Sequence, residues 1–158
     1  MIVEIGHFAL ILALVVSLVQ GVVPLIGARR GDAALMAVAR PAALTQTALV
    51  ALAFGCLMYA YVTSDFSVLN VINNSHSTKP LIYKISGVWG NHEGSMLLWV
   101  LILAAFGAAV AVFGRHLPPG LRARALAVQA LIAVGFLMFI VFTSNPFTRV
   151  ASPPADGQ

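Results

Sequence analysis

The sequence predicts an all-α integral membrane protein with four transmembrane helices. Hydrophobic residues make up 60% of the 158 residues, charged residues make up only 9%, and the mean hydropathy is +0.95. A soluble domain carries about a quarter charged residues, and disorder requires low hydrophobicity and high charge, so both classes are excluded. The lone Cys56 excludes a disulfide scaffold. The longest basic run is Arg29-Arg30, which is too short to indicate binding to nucleic acid.

Four long stretches without Asp, Glu, Lys or Arg define the predicted spans. About 20 apolar residues in a helix cross the roughly 30 Å hydrocarbon core, and each stretch reaches that length. The apolar residues run continuously and do not alternate with polar ones as in barrel strands. Helices are then the structure that can satisfy the hydrogen bonds of the backbone groups within lipid. The predicted spans are residues 5–28, 41–64, 94–114 and 125–148.

The charges of the connections predict the orientation of the spans. The first and third connections carry six arginines, whereas the other side carries three basic and four acidic residues. Positive charge accumulates on the cytoplasmic side, so both termini and the central loop, residues 65–93, are expected to be periplasmic in a bacterial inner membrane. Glu4 precedes the first span without a basic residue, so this span is not expected to be a cleaved signal peptide.

The central loop is predicted to contain an amphipathic helix at the membrane interface. Its first half, residues 70–78, is polar and turn-like, whereas its second half begins with Pro80, a favourable first helical position. Apolar residues then recur at helical spacing, with Trp89 as an interfacial anchor. The tail that follows Pro146 is expected to leave the membrane without regular structure.

The segment Trp89–Trp99, WGNHEGSMLLW, has the highest density of residues that could carry chemistry. In a helix, His92 and Met96 share one face. Gly90 and Gly94 are four residues apart, so they could let a neighbouring helix or a flat ligand approach the backbone. An aromatic rim that contains glycines and a histidine could face a porphyrin.

A purely structural interpretation of the same segment also fits. Asn91 would cap the helix and Glu93 would complement the helix dipole. Trp89 and Trp99 would lie in the aromatic belt of the membrane. Glu93 would also repel haem propionates, which argues against direct contact with haem at that position.

The remaining polar residues favour packing over chemistry. No histidine lies in the middle of a span, which disfavours an internal bis-histidine haem site. No ionisable residue lies deep in a span, which disfavours coupled transport. No metal site and no catalytic residue is predicted. Several polar residues are expected to form hydrogen bonds between helices, worth about 1 kcal/mol each: Gln20, Gln46, Thr45, Thr47 and Gln129.

The segment Trp89–Trp99 resembles the WGxHEGSxLLW segment of the CcmF haem lyase family of bacterial cytochrome c maturation, which has nitrite-reductase-associated relatives. Three further strings agree with that family in order and spacing: Glu4–Gly6, Asn70–Ser75 and Phe142–Phe147. The resemblance covers essentially the whole chain. It implies attachment of haem, delivered by the chaperone CcmE, to the two thiols of a CxxCH motif in apocytochrome c. It also implies thiol-handling partners of apocytochrome c and a position in the lipid bilayer.

The chain departs from that family in its length. The tryptophan-rich segment and the haem-ligating histidines of the family lie beyond the matched region, so no position here corresponds to a haem ligand. The candidates for shaping a haem rim or contacting a partner are Trp89, His92, Glu93 and Trp99. We expect the chain to be a fragment of a longer lyase or one chain of a split lyase. In both cases, it would need the remaining part of the lyase to attach haem.

A second hypothesis is a small four-helix transporter or an accessory subunit of an ion-translocating complex. It explains the length and the number of spans equally well. It does not explain the segment Trp89–Trp99, and the sequence lacks the carboxylate within the membrane that coupling would need.

Overall fold

The chain folds into four long helices joined by two short connections and one long loop. The computed structural model describes residues 1–158. Its α-helices are α1 Ile2–Arg30, α2 Ala33–Ala37, α3 Ala39–Val62, α4 Leu69–Asn74, α5 Leu81–Gly87, α6 His92–Phe113 and α7 Pro119–Phe142, with a 3-10 turn at Gly114–His116. Four segments are long and apolar enough to cross a membrane: α1, α2 with α3, α6 with the 3-10 turn, and α7. The predicted fold class is confirmed.

The four long helices form a ring in which α1 and α6 lie at opposite corners. α1 packs along α3 and α7, and α6 packs along the same two helices. Small residues such as Ala53, Ala104 and Ala133 are fully buried between them. Lipid is as apolar as these side chains, so close packing of small residues is what favours association of the helices.

A series of side-chain hydrogen bonds crosses the centre of this ring. Gln46 Nε2 donates to Ser17 Oγ over 2.6 Å, and Gln129 Nε2 donates to Gln46 Oε1 over 3.3 Å. Gln20 Nε2 donates to Gln129 Oε1 and to the carbonyl of Leu126, both over 2.9 Å. These bonds join α1, α3 and α7, as predicted for the three glutamines.

The fourth long helix is joined to the ring by a threonine and a glycine. Thr47 Oγ1 of α3 donates to the carbonyl of Ala104 in α6 over 2.9 Å. Gly107 of α6 makes room for Gln129, since a Cβ at Gly107 would lie 2.7 Å from Gln129 Oε1. Thr45, expected to bond between helices, is instead exposed on the outside of α3.

The two ends of the bundle differ in charge. The six arginines of the first and third connections lie at one end, here termed the arginine end, where Arg124 Nη2 donates to the carbonyl of Ala28 over 3.3 Å. Lys79, Lys84 and Arg149 lie at the opposite end with residues 65–93 and the tail. We term this the loop end.

α7 starts and ends earlier than the span predicted from the uncharged stretch 125–148. The helix runs from Pro119 to Phe142, because proline is well suited to the first helical turn. The residue before Pro146 is disfavoured in a helix, so residues 143–148 form a turn instead. This turn places the FTSNPF string at the loop end.

The loop contains two short helices. α5 follows Pro80 as expected, and its residues Leu81, Ile82 and Tyr83 are each more than half exposed. This exposed apolar face suits a helix that lies at the membrane interface. α4 occupies the part of the loop that was expected to be turn-like, and it buries Asn70 beneath the loop.

The tail after Pro146 packs against the loop, contrary to the expectation of an unstructured exit. The backbone N–H of Leu69 donates to the carbonyl of Thr148 over 2.9 Å. Further along, the Ser77 hydroxyl and backbone N–H donate to the two carboxylate oxygens of Asp156 over 2.6 and 2.7 Å. These bonds from Ser77 hold the pKa of Asp156 below its ordinary value.

Gly6 and Phe147 bring the two extremities of the chain into contact at the loop end. A Cβ at position 6 would lie 2.5 Å from Phe147 Cζ and 2.8 Å from Cys56 Cβ. Such distances are well inside van der Waals contact, so the absence of a side chain at Gly6 is what admits the Phe147 ring. The contact joins two strings, Glu4–Gly6 and Phe142–Phe147, that are far apart in sequence.

We expect Gly6→Ala to lower the free energy of unfolding by about 1–3 kcal/mol, because the added methyl group overpacks this contact. Phe147→Leu shortens the opposing side chain, so the double variant should lose less stability than the sum of the two single variants. Thermal unfolding of the three variants in detergent measures the difference. Strict additivity would show that Phe147 does not cause the penalty at Gly6.

Candidate functional site

Asn91 is the residue around which the start of α6 is organised. Its backbone is extended, with φ −129° and ψ 169°, and its side-chain oxygen accepts a hydrogen bond from the Gly94 N–H over 2.8 Å. It is therefore an N-cap, as the structural interpretation predicted. Its amide also donates to Tyr61 Oη over 2.9 Å and to the Gly87 carbonyl over 3.0 Å.

Four side chains from three helices and the N-cap form what we term the loop-end cluster: Tyr61, Asn70, Asn91 and Glu93. Tyr61 Oη donates to Asn70 Oδ1 over 2.6 Å. Asn70 Nδ2 in turn donates to Asn91 Oδ1 over 3.0 Å and to Glu93 Oε2 over 3.1 Å. Tyr61 and Asn70 are 0% and 6% exposed. The cluster therefore attaches the loop to α3 and α6 through buried hydrogen bonds.

Glu93 therefore faces inward, toward the loop. Its carboxylate lies in the first turn of α6, where the partial positive charge of the helix N-terminus stabilises an anion. It is one of the predicted candidates, and the structure separates it from the other three. It acts within the loop-end cluster as an acceptor for Asn70.

The two glycines of the motif have different surroundings. A Cβ at Gly94 would lie 1.6 Å from the carbonyl oxygen of Val88, so that oxygen occupies the space a side chain would need. A Cβ at Gly90 would meet its nearest neighbours at 3.6 Å, an ordinary contact. Within this chain, the close approach at Gly94 is to the segment that precedes α6.

The other three candidates lie on the surface of the bundle. Trp89 is 39% exposed and Trp99 is 59% exposed, and the Trp89 carbonyl accepts a hydrogen bond from Ser95 Oγ over 2.6 Å. The His92 ring is exposed and meets Phe139 of α7 edge-on, with ring centroids 5.9 Å apart and planes at 88°. The structure thus brings His92 to α7 and leaves both tryptophans available for contact.

His92 lies at the start of a groove between α6 and α7, here termed the α6–α7 groove. It has a volume of about 400 Å³ and is lined by His92, Met96, Ile132, Gly135, Phe136 and Phe139. Imidazole and thioether groups are both known axial ligand types for haem iron, and aromatic rings pack well on flat ligands. These residue types suit packing against a flat ligand or against another helix.

A second polar group at the loop end was not predicted as a site. Asn145 Oδ1 accepts from the Phe147 N–H over 2.9 Å, so its amide nitrogen faces His7 Nδ1 at 3.1 Å. His7 Nδ1 then acts as the acceptor of this hydrogen bond. Arg149 pairs with Glu4 beside them. The sequence signal that could have indicated this group is the pair of strings Glu4–Gly6 and Phe142–Phe147, which lie far apart in sequence.

These residues line an open cavity of about 330 Å³ together with Phe8 and Ile11 of α1. Across residues 1–158, no three side chains of His, Cys, Asp or Glu converge as metal ligands would. What the loop end offers chemically is hydrogen bonding, an imidazole at each of two cavities, and exposed aromatic rings.

The chain is similar along its whole length to cytochrome c-type biogenesis proteins. It is 65% identical to the protein ccl1 of Rhodobacter capsulatus, over 100% of this chain and 24% of that protein. It is 54% identical to CcmF of Pseudomonas aeruginosa, over 99% of this chain and 24% of that protein. It is 36% identical to NrfE of Haemophilus influenzae, over 98% of this chain and 24% of that protein. The chain thus spans about a quarter of the length of these relatives, and no protein-family model matches it.

The fold is also similar to that of a solved protein, cytochrome c heme lyase CcmF. The TM-score is 0.86 at 26% sequence identity, and the match covers 93% of this chain and 25% of that chain. The resemblance predicted from the segment Trp89–Trp99 is confirmed by both sequence and fold.

Proposed function

We propose that the chain is the N-terminal quarter of a CcmF-type cytochrome c-type biogenesis protein, because relatives of that kind match its whole length, and that it serves as this part of a cytochrome c haem lyase. In this proposal, the complete lyase attaches haem to the thiols of a CxxCH motif in apocytochrome c. The observation that carries it is the Trp89–Trp99 segment, which lies at the loop end within a fold shared with a heme lyase.

The proposed location is the bacterial inner membrane with the loop end in the periplasm. The six arginines at the arginine end support a cytoplasmic position for that end. Both termini and residues 65–93 would then be periplasmic, on the side where thioether formation takes place in this proposal.

Haem is the substrate in this proposal, and the partners are the haem chaperone CcmE, apocytochrome c with its thiol-handling partners, and the remaining part of the lyase. His92, Trp89 and Trp99 are the exposed residues that would contact haem or a partner at the rim. Glu93 would position this rim through Asn70. The chain would be a portion of a longer lyase or one chain of a split lyase.

The transporter hypothesis has less support. The polar side chains in the centre of the ring are amides and hydroxyls, and these groups do not titrate in a way that could couple transport to protons. Relatives named for cytochrome c-type biogenesis match the whole chain.

We expect His92→Ala, introduced at the native locus, to lower covalently bound haem in membranes about tenfold, which corresponds to the loss of one good contact of about 1.4 kcal/mol. Haem staining of c-type cytochromes measures this loss. His116→Ala is the matched control, because His116 is also exposed but lies at the arginine end. Normal c-type cytochromes with a normal amount of the His92→Ala protein would contradict the assignment of His92.

An N-terminal affinity tag tests the lyase assignment independently. After purification from membranes, the tag should be found on a product far larger than 16.6 kDa or together with a separate multispan chain. A stable 16.6 kDa product accompanied only by copies of itself would favour the transporter hypothesis.

A further inference from the structure

We infer that the α6–α7 groove is the surface on which this bundle binds a transmembrane helix from the remaining part of the lyase. The inference rests on the proposed function and identifies one interface within it. About three quarters of each relative's length lies outside the matched region, and the matched fold covers 25% of the solved heme lyase chain. A large part of the complete protein is therefore available to cover this bundle.

The first observation is an open glycine in the groove. Gly135 is exposed, lines the groove, and has no atom within 4 Å of the position that a Cβ would occupy. Small residues on the surface of a membrane-spanning helix let a second helix approach its backbone closely. The aromatic rings of Phe136 and Phe139 also line the groove, so an incoming helix would have contacts around this point.

The second observation is an ionisable side chain that faces outward. His92 is exposed at the loop end of the groove, and the ring contact that the chain itself provides is a T-shaped one with Phe139. As the first residue of α6, His92 lies at the end of the groove nearest the membrane surface. Its ring can donate or accept a hydrogen bond with an incoming helix at that point.

Other outward faces of the bundle lack this combination. Beyond the cavity that His7 lines at the loop end, the exposed face of α1 consists of large apolar side chains that suit lipid: Val15, Leu18, Val22 and Ile26. Gly21 of α1 is not open, since a Cβ there would lie 2.7 Å from Leu131 Cδ2. Gly55 of α3 is exposed and open, but it lines neither of the two cavities described above, and its neighbours in the exposed stripe include Leu52 and Tyr59.

Site-specific photocrosslinking in the complete lyase tests the inference. A benzoylphenylalanine would be placed at position 135 or, as the matched control, at position 55, and irradiated in native membranes. We expect position 135 to crosslink to a peptide of the lyase that lies outside residues 1–158, and position 55 to give little such product. Lipid adducts alone at position 135, capture of a second copy of this bundle, or equal crosslinking from both positions would overturn the inference.

A pair of leucine variants provides a second measurement. Gly135→Leu and Gly55→Leu each place a side chain in open space, and leucine is a better helix former than glycine, so this bundle should tolerate both. In a complete lyase, we expect Gly135→Leu to lower the Tm by several degrees more than Gly55→Leu does. In a split lyase, we expect Gly135→Leu to lower the yield of co-purified partner chain several-fold more than Gly55→Leu does. Equal behaviour of the two variants would count against the α6–α7 groove.

The two proposals can fail separately. Crosslinking from position 135 together with normal c-type cytochromes in the His92→Ala strain would retain the interface and contradict the haem-rim assignment. Loss of c-type cytochromes without crosslinking from position 135 would retain the lyase function and overturn the interface.

Discussion

Gly94→Ala is expected to lower the free energy of unfolding by about 3 kcal/mol, at the upper end of the usual cost of overpacking. The added methyl group would lie 1.6 Å from the Val88 carbonyl oxygen, so the backbone of either α6 or the preceding turn must move. That movement would also disturb the hydrogen bond from the Gly94 N–H to Asn91. Thermal unfolding in detergent and the amount of protein in the membrane would both report the loss.

Gly90→Ala is the matched control for this prediction. It lies in the same motif, but its Cβ would meet only ordinary contacts at 3.6 Å. We therefore expect a change of less than about 0.5 kcal/mol, as for most surface substitutions. If the two variants lose equal stability, the Val88 carbonyl cannot be the reason that position 94 needs glycine.

Asn91→Ala is expected to cost about 3 kcal/mol in total. Loss of an N-cap costs about 1 kcal/mol. The buried amide of Asn70 and hydroxyl of Tyr61 would each lose one partner but keep another, so each loss is expected at about 1 kcal/mol, the lower end of the cost of an unsatisfied buried group. Thermal unfolding measures the sum.

Two further asparagine variants separate the cap from the loop-end cluster. Asn91→Asp keeps an oxygen for the Gly94 N–H but cannot donate to Tyr61, so it should lose an intermediate amount of stability. Asn73→Ala changes an exposed asparagine of α4 and should be nearly neutral. A cost for Asn91→Ala no larger than that of a cap alone would mean that the loop-end cluster contributes little.

The features predicted correctly from the sequence depend on local patterns. Span length and the absence of charge identify a membrane helix without knowledge of its neighbours. The role of Asn91 as a cap depends on residues within one turn of it. Gln46 and Gln129 could be assigned to interhelical bonds because an amide within a span must find a partner there.

The features that were not predicted depend on residues far apart in sequence. The bounds of α7 differ from those of the uncharged stretch because two different properties set them. The absence of charge shows which residues can lie in lipid, whereas Pro119 and Pro146 determine where the helix begins and ends. The packing of the tail on the loop and the contact of Gly6 with Phe147 join distant segments. The residue pattern within either segment does not indicate that the two segments are in contact.

The hydrogen bonds of the glutamines also bear on how the protein enters the membrane during synthesis. The span that contains Gln46 has a mean hydropathy of 1.6, against 2.6 for the other three, so its partitioning from the translocon into lipid is the least favourable. Gln46 bonds to Ser17 of the span synthesised before it and to Gln129 of the last span. The second span therefore gains a polar partner from a helix that is already inserted. Its hydrogen bond with Gln129 can form only after the fourth span has been synthesised. Insertion of the first helix thus favours retention of the second, and the order of synthesis contributes to the final topology.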